Sequence, residues 1–164
     1  MTKTLILMRH AKSDWDDPML RDHERPLNKR GRDAAARIGR WITTQGLSPD
    51  VTLCSSAMRT AETWALTGLK ADVHFDKRLY HATAEMMLHV LKEAVGDTVL
   101  MIAHNPGIAD LAERLVKTPP DHPDFWRYPT AATLIATFDI DTWSQARFGT
   151  GKTQAFTVPR DLID

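Results

Sequence analysis

Two segments share one design, a continuous apolar run that stops abruptly at a basic side chain. Thr4 to Met8 leads directly into Arg9 and His10, and "TVLMIA" leads directly into His104. An unbroken apolar run of this length is the pattern of a strand buried on both faces, as in a parallel sheet. Between these runs the periodicity changes. Lys12 to Pro26 is charged, has no period and contains Pro18 and Pro26, which predicts a surface loop. Asn28 is placed to cap a helix whose apolar positions are Ala34, Ala35, Ile38, Trp41 and Ile42, with Gly46 at its end. Val51 to Ser55 predicts a second buried strand, and "SSAMRTAETWALTG" a helix that begins at a serine and stops near Gly68. Val73 and Phe75 predict a short third strand. From Ala84 to Val95, Met87, Leu88, Leu91 and Val95 form an apolar stripe opposite Glu85, His89 and Lys92. After His104, Asn105 and Pro106 are cap and first-turn residues for a helix with Ile108, Leu111, Ala112 and Leu115 inside. Beyond a loop around Pro119, Pro120 and Pro123, "ATLIATFDI" and "SQARFG" predict an antiparallel pair.

Strands alternating with helices imply an α/β fold with a mostly parallel sheet covered on both faces and right-handed crossovers. In such folds ligands bind beyond the carboxyl ends of the strands. That places Arg9, His10, Arg59 and His104 at one crevice. The length of 164 residues fits a single domain over 1–164. Lys plus Arg and Asp plus Glu number 21 each, so no global basic field argues for nucleic acid or a membrane surface as partner. Anion recognition must therefore be local. The one cysteine, Cys54, lies in an apolar run and reads as a buried thiol. With no membrane-length apolar window and no cleavable leader, the expected location is cytoplasmic.

Two arginines and two histidines at strand ends or first helical turns have the composition of a phosphate site. Arginine matches phosphate oxygens with a planar fork of donors, and helix N-termini near Arg59 and after His104 add N–H groups. The sequence has no Gly-rich Walker loop, no paired aspartates spaced for magnesium and no Cys-x5-Arg loop. Chemistry without a metal or cofactor is expected. A neutral imidazole is a competent nucleophile near pH 7, so His10 attacking phosphorus would give a phosphohistidine that water hydrolyses. Arg9, Arg59 and a protonated His104 would neutralise the phosphoryl oxygens.

"LMRHAKS", "SSAMRTAET" and "MIAHNPG", in this order, resemble the histidine phosphatase superfamily, and within it the SixA-type phosphohistidine phosphatases. The resemblance runs from about Lys3 to Val116. It implies a phosphoglycerate-mutase-like fold, a three-layer αβα sandwich with a mostly parallel central sheet. It also implies His10 as nucleophile, with Arg9, Arg59 and His104 forming the phosphate pocket. The implied activity is metal-independent hydrolysis of phosphohistidine in a protein or of a small phosphate ester. A phosphomonoesterase of small molecules and a non-catalytic phosphate-binding regulatory module are the alternatives.

The family's Arg-His-Gly motif has Ala11 in its third place here, and the Ala11 N–H is expected to face a phosphate oxygen. For the general acid, "RLYHATAEMM" offers Tyr80, His81 and Glu85 without choosing among them. Lys12, Ser13, Asn105 and His81 are candidate substrate-binding residues. Trp15 stands either as a rim residue facing substrate or as an anchor for the loop. His23, His74, His89 and His122 read as structural or solvated, and the basic residues from Lys29 to Arg40 as a solvated helix face.

Overall fold

The computed structural model describes residues 1–163. The apolar runs do form the middle of a sheet. β1 (Thr2–Arg9) is central, and its alternating side chains feed two cores: Leu5 and Leu7 enter one, Ile6 and Met8 the other. β4 (Thr98–Ala103) repeats this split with Val99 and Met101 against Leu100 and Ile102. A strand covered on both faces has no polar side to show, which is why its sequence is continuously apolar.

α1 (Lys29–Thr44) begins as expected at Asn28, whose side chain accepts from the Gly31 N–H at 2.8 Å. Such a cap stabilises a helix by about 1 kcal/mol. β2 (Val51–Ser55) and α2 (Met58–Leu66) follow. β3 (Asp72–Asp76), α3 (Ala84–Lys92) and, after β4, α4 (Gly107–Leu115) continue the alternation. The strand order is β3-β2-β4-β1, then antiparallel β5 (Thr133–Asp139) and β6 (Lys152–Thr157). The chain moves outward from β1 to β2 to β3 and returns to β4. With right-handed crossovers that reversal puts α1 and α2 on one face and α3 and α4 on the other. The result is the α/β sandwich with a mostly parallel sheet.

Three local expectations are corrected. The second member of the antiparallel pair is β6, and "SQARFG" forms a 3-10 turn (Trp143–Gln145) followed by loop, with Trp143 buried as a core anchor. α2 starts after Ala57 without a side-chain cap, because alanine holds the N-cap position while Ser55 and Ser56 stand before it, bonded to His104 and His23. α4 starts at Gly107 after a cis Asn105–Pro106 bond, and the Asn105 amide turns away from the helix to hold the Arg127 and Tyr128 carbonyls.

Close packing behind the site depends on glycine at two points. A β-carbon on Gly31 would meet the Lys12 carbonyl oxygen at 2.1 Å, and one on Gly107 the Ala82 carbonyl oxygen at 2.0 Å. The loop after β1 and the loop before α3 therefore lie directly on helix backbones.

Candidate active site

The register of the sheet decides which side chains meet. Arg9 of β1 pairs with Ala103 of β4, so the next residue on each parallel strand, His10 and His104, emerge side by side. Their ring centroids are 5.2 Å apart. β2 lies on the other side of β4, with Cys54 beside Ile102, and its last residue Ser55 reaches His104 Nε2 at 2.7 Å. In the first turn of α2, Arg59 turns back toward the same point. Arg9, His10, Arg59 and His104 line one cavity of about 320 Å³ together with Lys12, Ser13, Trp15, Arg25, His81, Asn105 and Thr130. All eight residues expected from the sequence therefore meet in one pocket.

Hydrogen bonds define the state of the two histidines. His10 Nδ1 lies 2.7 Å from the Ala11 carbonyl oxygen, which can only accept, so Nδ1 carries the proton and Nε2 keeps its lone pair. Burial, followed by the charges of Arg9, Arg59 and Arg25, pushes the His10 pKa down to about 3 against a smaller upward pull from the Ala11 bond. His104 is held well below the usual imidazole range by burial and then by His10, Arg59 and His81. The expectation of a protonated His104 is thus corrected: burial and the neighbouring cationic groups favour the neutral ring. Ser55 Oγ accepts from the Ala57 N–H at 3.4 Å and shares a hydrogen bond with His104 Nε2 at 2.7 Å, while the buried His104 Nδ1 has no partner.

Ala11 is also explained. It does not have a positive φ, its side chain packs in the core, and its N–H donates to Thr63 Oγ1 at 3.0 Å. That N–H is therefore not turned to a phosphate oxygen. Alanine fits because the position asks for neither left-handed backbone nor an empty β-carbon site.

The loop over residues 12–26 supplies two residues that no motif marked. Arg25 is buried, donating to Ser13 Oγ at 3.1 Å and to Asp22 Oδ1 at 2.8 Å. Asp22 also accepts from Arg59 Nη2 at 3.0 Å and from the Tyr80 hydroxyl, while its backbone carbonyl accepts from Arg59 Nη1 at 2.7 Å. Partial burial pulls its carboxyl upward, but the Tyr80, Arg25 and Arg59 bonds prevail and hold it well below the usual carboxylate range. Asp22 is thus an ionised brace between two arginines.

The three acid candidates separate. Glu85 is exposed and paired with Arg114 at 2.9 Å, outside this pocket. Tyr80 donates to Asp22, and its pKa is raised by burial and by that carboxylate. Its ring stands edge-on to His23 and to His104. His81 is at the mouth, its ring 4.0 Å from that of Tyr80, and its φ of 56° lies in the left-handed region. Tyr128 (φ 49°) and Ala131 (φ 63°) share that conformation in the strap that closes the site's other side. There the Tyr128 carbonyl accepts from Arg9 Nη1 at 3.1 Å and from Asn105 Nδ2 at 3.2 Å. Three non-glycine residues in this region, each costing of order 1 kcal/mol, are typical of backbone held for a site.

Lys12 and Ser13 differ in how they line the pocket. Ser13 is buried and oriented by Arg25, whereas Lys12 is exposed and its carbonyl serves as acceptor for the Asn28 N–H. Cys54 is buried and its thiol is pushed up to about 12 by burial, so it contributes no reactive group. Among the described residues no three His, Cys, Asp or Glu side chains group closely enough to hold a metal ion, and no helix is long and apolar enough to cross a membrane.

The neutral histidines have a measurable consequence. Because the folded pKa of His10 lies below the unfolded value of about 6.5, its contribution to stability is complete above that pH. It is lost as pH falls toward about 3. Ring C2–H resonances of His10 and His104 should stay at their neutral positions from about pH 8 to about pH 5. A midpoint near 6.5 for His10 would contradict a dry, arginine-lined pocket.

Comparison with known proteins places this geometry. Residues 5–83 match the model of the histidine phosphatase superfamily (branch 1). An uncharacterized protein of Mycobacterium leprae (strain TN) is 32% identical over 164 residues, covering 93% of this chain and 100% of that one. An uncharacterized chloroplastic protein of Arabidopsis thaliana is 36% identical over 130 residues, covering 70% of this chain and 60% of the relative. A solved structure from Nakamurella multipartitia, assigned as phosphohistidine phosphatase SixA, superposes with a TM-score of 0.86 at 29% identity over 97% of each chain. The strand-end histidines, their arginines and this kinship agree, and the chain belongs to the histidine phosphatase superfamily.

Proposed function

We propose that residues 1–164 form one metal-independent phosphatase domain that hydrolyses phosphohistidine through a covalent phosphohistidine on His10. The observation that carries this reading is the locked tautomer of His10: a neutral ring, Nδ1–H tied to the Ala11 carbonyl, and a free Nε2 beside Arg9, Arg59 and His104. In the first step the Nε2 lone pair attacks phosphorus. The bond from phosphorus to the substrate's imidazole nitrogen breaks, and that nitrogen keeps the electron pair and takes a proton from water at the open mouth. In the second step water attacks the phosphoryl group on His10, the new P–N bond breaks, and inorganic phosphate leaves with Nε2 restored.

The surrounding groups suit a phosphoryl group in flight. Arg9 and Arg59 offer charge-assisted donors to the equatorial oxygens, and Arg25 adds a third positive charge beneath them. In the tautomer in which Ser55 donates to Nε2, the unpartnered Nδ1 of His104 carries the proton and is a further donor. Lys12 and Ser13 flank the phosphate, and Asn105 positions the Tyr128 carbonyl that holds Arg9.

The carboxyls near the mouth bear on substrate class. Asp22 is ionised by its three donors and Glu85 is bound to Arg114, so neither carboxyl is protonated and poised over a leaving group. An alcohol leaving group needs such an acid, whereas an imidazole departs far more readily. This supports phosphohistidine over a small phosphate monoester.

The test is to offer wild-type protein, in excess chelator, a phosphohistidine peptide and a phosphoserine peptide of the same sequence. Expected are phosphate release from the first at a kcat/KM at least tenfold higher, and an acid-labile, base-stable phosphoenzyme on quenching. A preference for phosphoserine would overturn the substrate class. Activity abolished by chelator would overturn the mechanism, and binding without turnover would return the regulatory module.

A further inference from the structure

Trp15 is the one large aromatic side chain in the wall of the pocket, yet it is 73% exposed. A tryptophan that anchored its loop would bury its ring, because that ring carries most of the loop's apolar surface. Here it is pinned without being buried. The Arg25 guanidinium carbon lies 3.3 Å from the indole centroid, so it covers one face of the ring. Arg25 is itself fixed by Ser13 and Asp22. The backbone beside Trp15 is tied down as well, by Asp14 N–H donating to the Pro26 carbonyl at 2.8 Å and by the bridge between Ser13 and Leu27. An ordered apolar plane thus stands at the mouth of a phosphate pocket with its second face open to solvent.

We propose that the open face of Trp15 is a stacking shelf for a planar aromatic leaving group, which under the phosphohistidine reading is the substrate's imidazole ring. The placement follows from the pocket's polarity. His10 and the arginines form the charged floor that takes the phosphoryl group, so the departing group must point outward. The exposed residues on the same cavity are Lys12, Trp15 and His81, of which Trp15 alone offers a large apolar plane. Ring stacking on Trp15 would hold the scissile bond outward and in line with His10 Nε2 while leaving the substrate backbone free. The arginine beneath enhances the shelf, since it holds the indole in one orientation and removes the entropy cost of ordering it on binding.

This inference rests on the proposed chemistry for its natural substrate, but its physical content is separable: the shelf recognises a ring, whichever atom links that ring to phosphorus. Two ringed phosphoryl donors, a phosphohistidine peptide and phenyl phosphate, are compared with two ringless ones, phosphoramidate and ethyl phosphate. Binding of phenylphosphonate is compared with that of methylphosphonate, which needs no turnover. For Trp15→Ala, the ringed-to-ringless ratio of kcat/KM and the ratio of phosphonate affinities should both fall roughly threefold to tenfold, the range of an aromatic pair. Trp15→Phe should restore most of both ratios. Equal losses on ringed and ringless compounds would mean that Trp15 merely shields Arg25, and unchanged ratios would mean that it touches nothing; either overturns the shelf. If wild type ignores phosphohistidine but Trp15→Ala still loses discrimination between phenyl and methyl phosphonates, the substrate reading fails and the shelf stands.

Discussion

His10→Ala should lower kcat by about 10⁴ or more while leaving the fold intact and the pocket able to bind an inert oxyanion such as tungstate. The size of the effect follows from the role proposed for Nε2. Without it no phosphoenzyme forms, and only binding by the arginines remains to assist direct attack by water. The fold should survive because the sheet positions His10 through its backbone: its N–H donates to the Ala103 carbonyl at 3.1 Å, and its carbonyl accepts from the Ala131 N–H at 2.9 Å. Alanine keeps both bonds. It also removes a ring that burial and three arginines disfavour in its charged form, so the variant should lose less stability than wild type as pH falls from about 6.5 toward 4. Steady-state kinetics, phosphoenzyme trapping and denaturant unfolding at two pH values check the three parts together. Residual turnover within tenfold of wild type would remove His10 from the nucleophile's role.

How much of this was legible in the sequence differs between sheet and loops. Runs such as "LILM" and "VLMIA" are readable because a strand buried on both faces has only one way to be written, and parallel register then carries the adjacent histidines to the same point. β6 was misplaced for the complementary reason. As an edge strand it is half exposed and polar in sequence, "KTQAFT", while the preceding turn holds buried Trp143 and Ala146 and imitates an alternating strand. At the site, Arg9, Arg59, His10 and His104 sit in motifs next to strand ends. Asp22 and Arg25 sit in a loop full of charges, and their selection depends on contacts with Arg59, Tyr80 and Ser13, 12 to 58 residues away. Nothing local distinguishes Asp22 from Asp16 or Asp17. A signal did exist at Ser55 and Thr63: both are polar residues facing a core, and buried polar groups need partners. The serine was instead read as the helix start, whereas α2 begins after Ala57 and the Ser55 hydroxyl bonds His104.

Arg59 is where strand, helix and loop join, and its replacement should be nearly as damaging as loss of the nucleophile. Its side chain is 5% exposed, with one guanidinium nitrogen on the Asp22 carbonyl and another on the Asp22 carboxylate. Removing it takes away a phosphate donor and leaves Asp22 hydrogen-bonded to Arg25 and Tyr80, with His81 Nε2 3.7 Å away. The Asp22 charge would then stand beside the pocket with less to offset it, repelling a dianionic phosphoryl group. Loss of one donor to developing charge costs about 10²–10³ in kcat. With the added repulsion, Arg59→Ala should lose about 10³ in kcat/KM, with part of the loss appearing as weaker substrate binding. Arg59→Lys should recover little, because an ammonium cannot span the carbonyl, the carboxylate and a phosphoryl oxygen as the planar fork does. The decisive comparison is the double variant Arg59→Ala with Asp22→Asn. Deleting the arginine and the charge it neutralises should restore about tenfold of the lost substrate affinity without restoring kcat, since the repulsion is gone but the donor is still missing. If the double variant binds no better than Arg59→Ala alone, Asp22 is only a structural brace, and the arginine's whole effect lies in its direct bonds to phosphate.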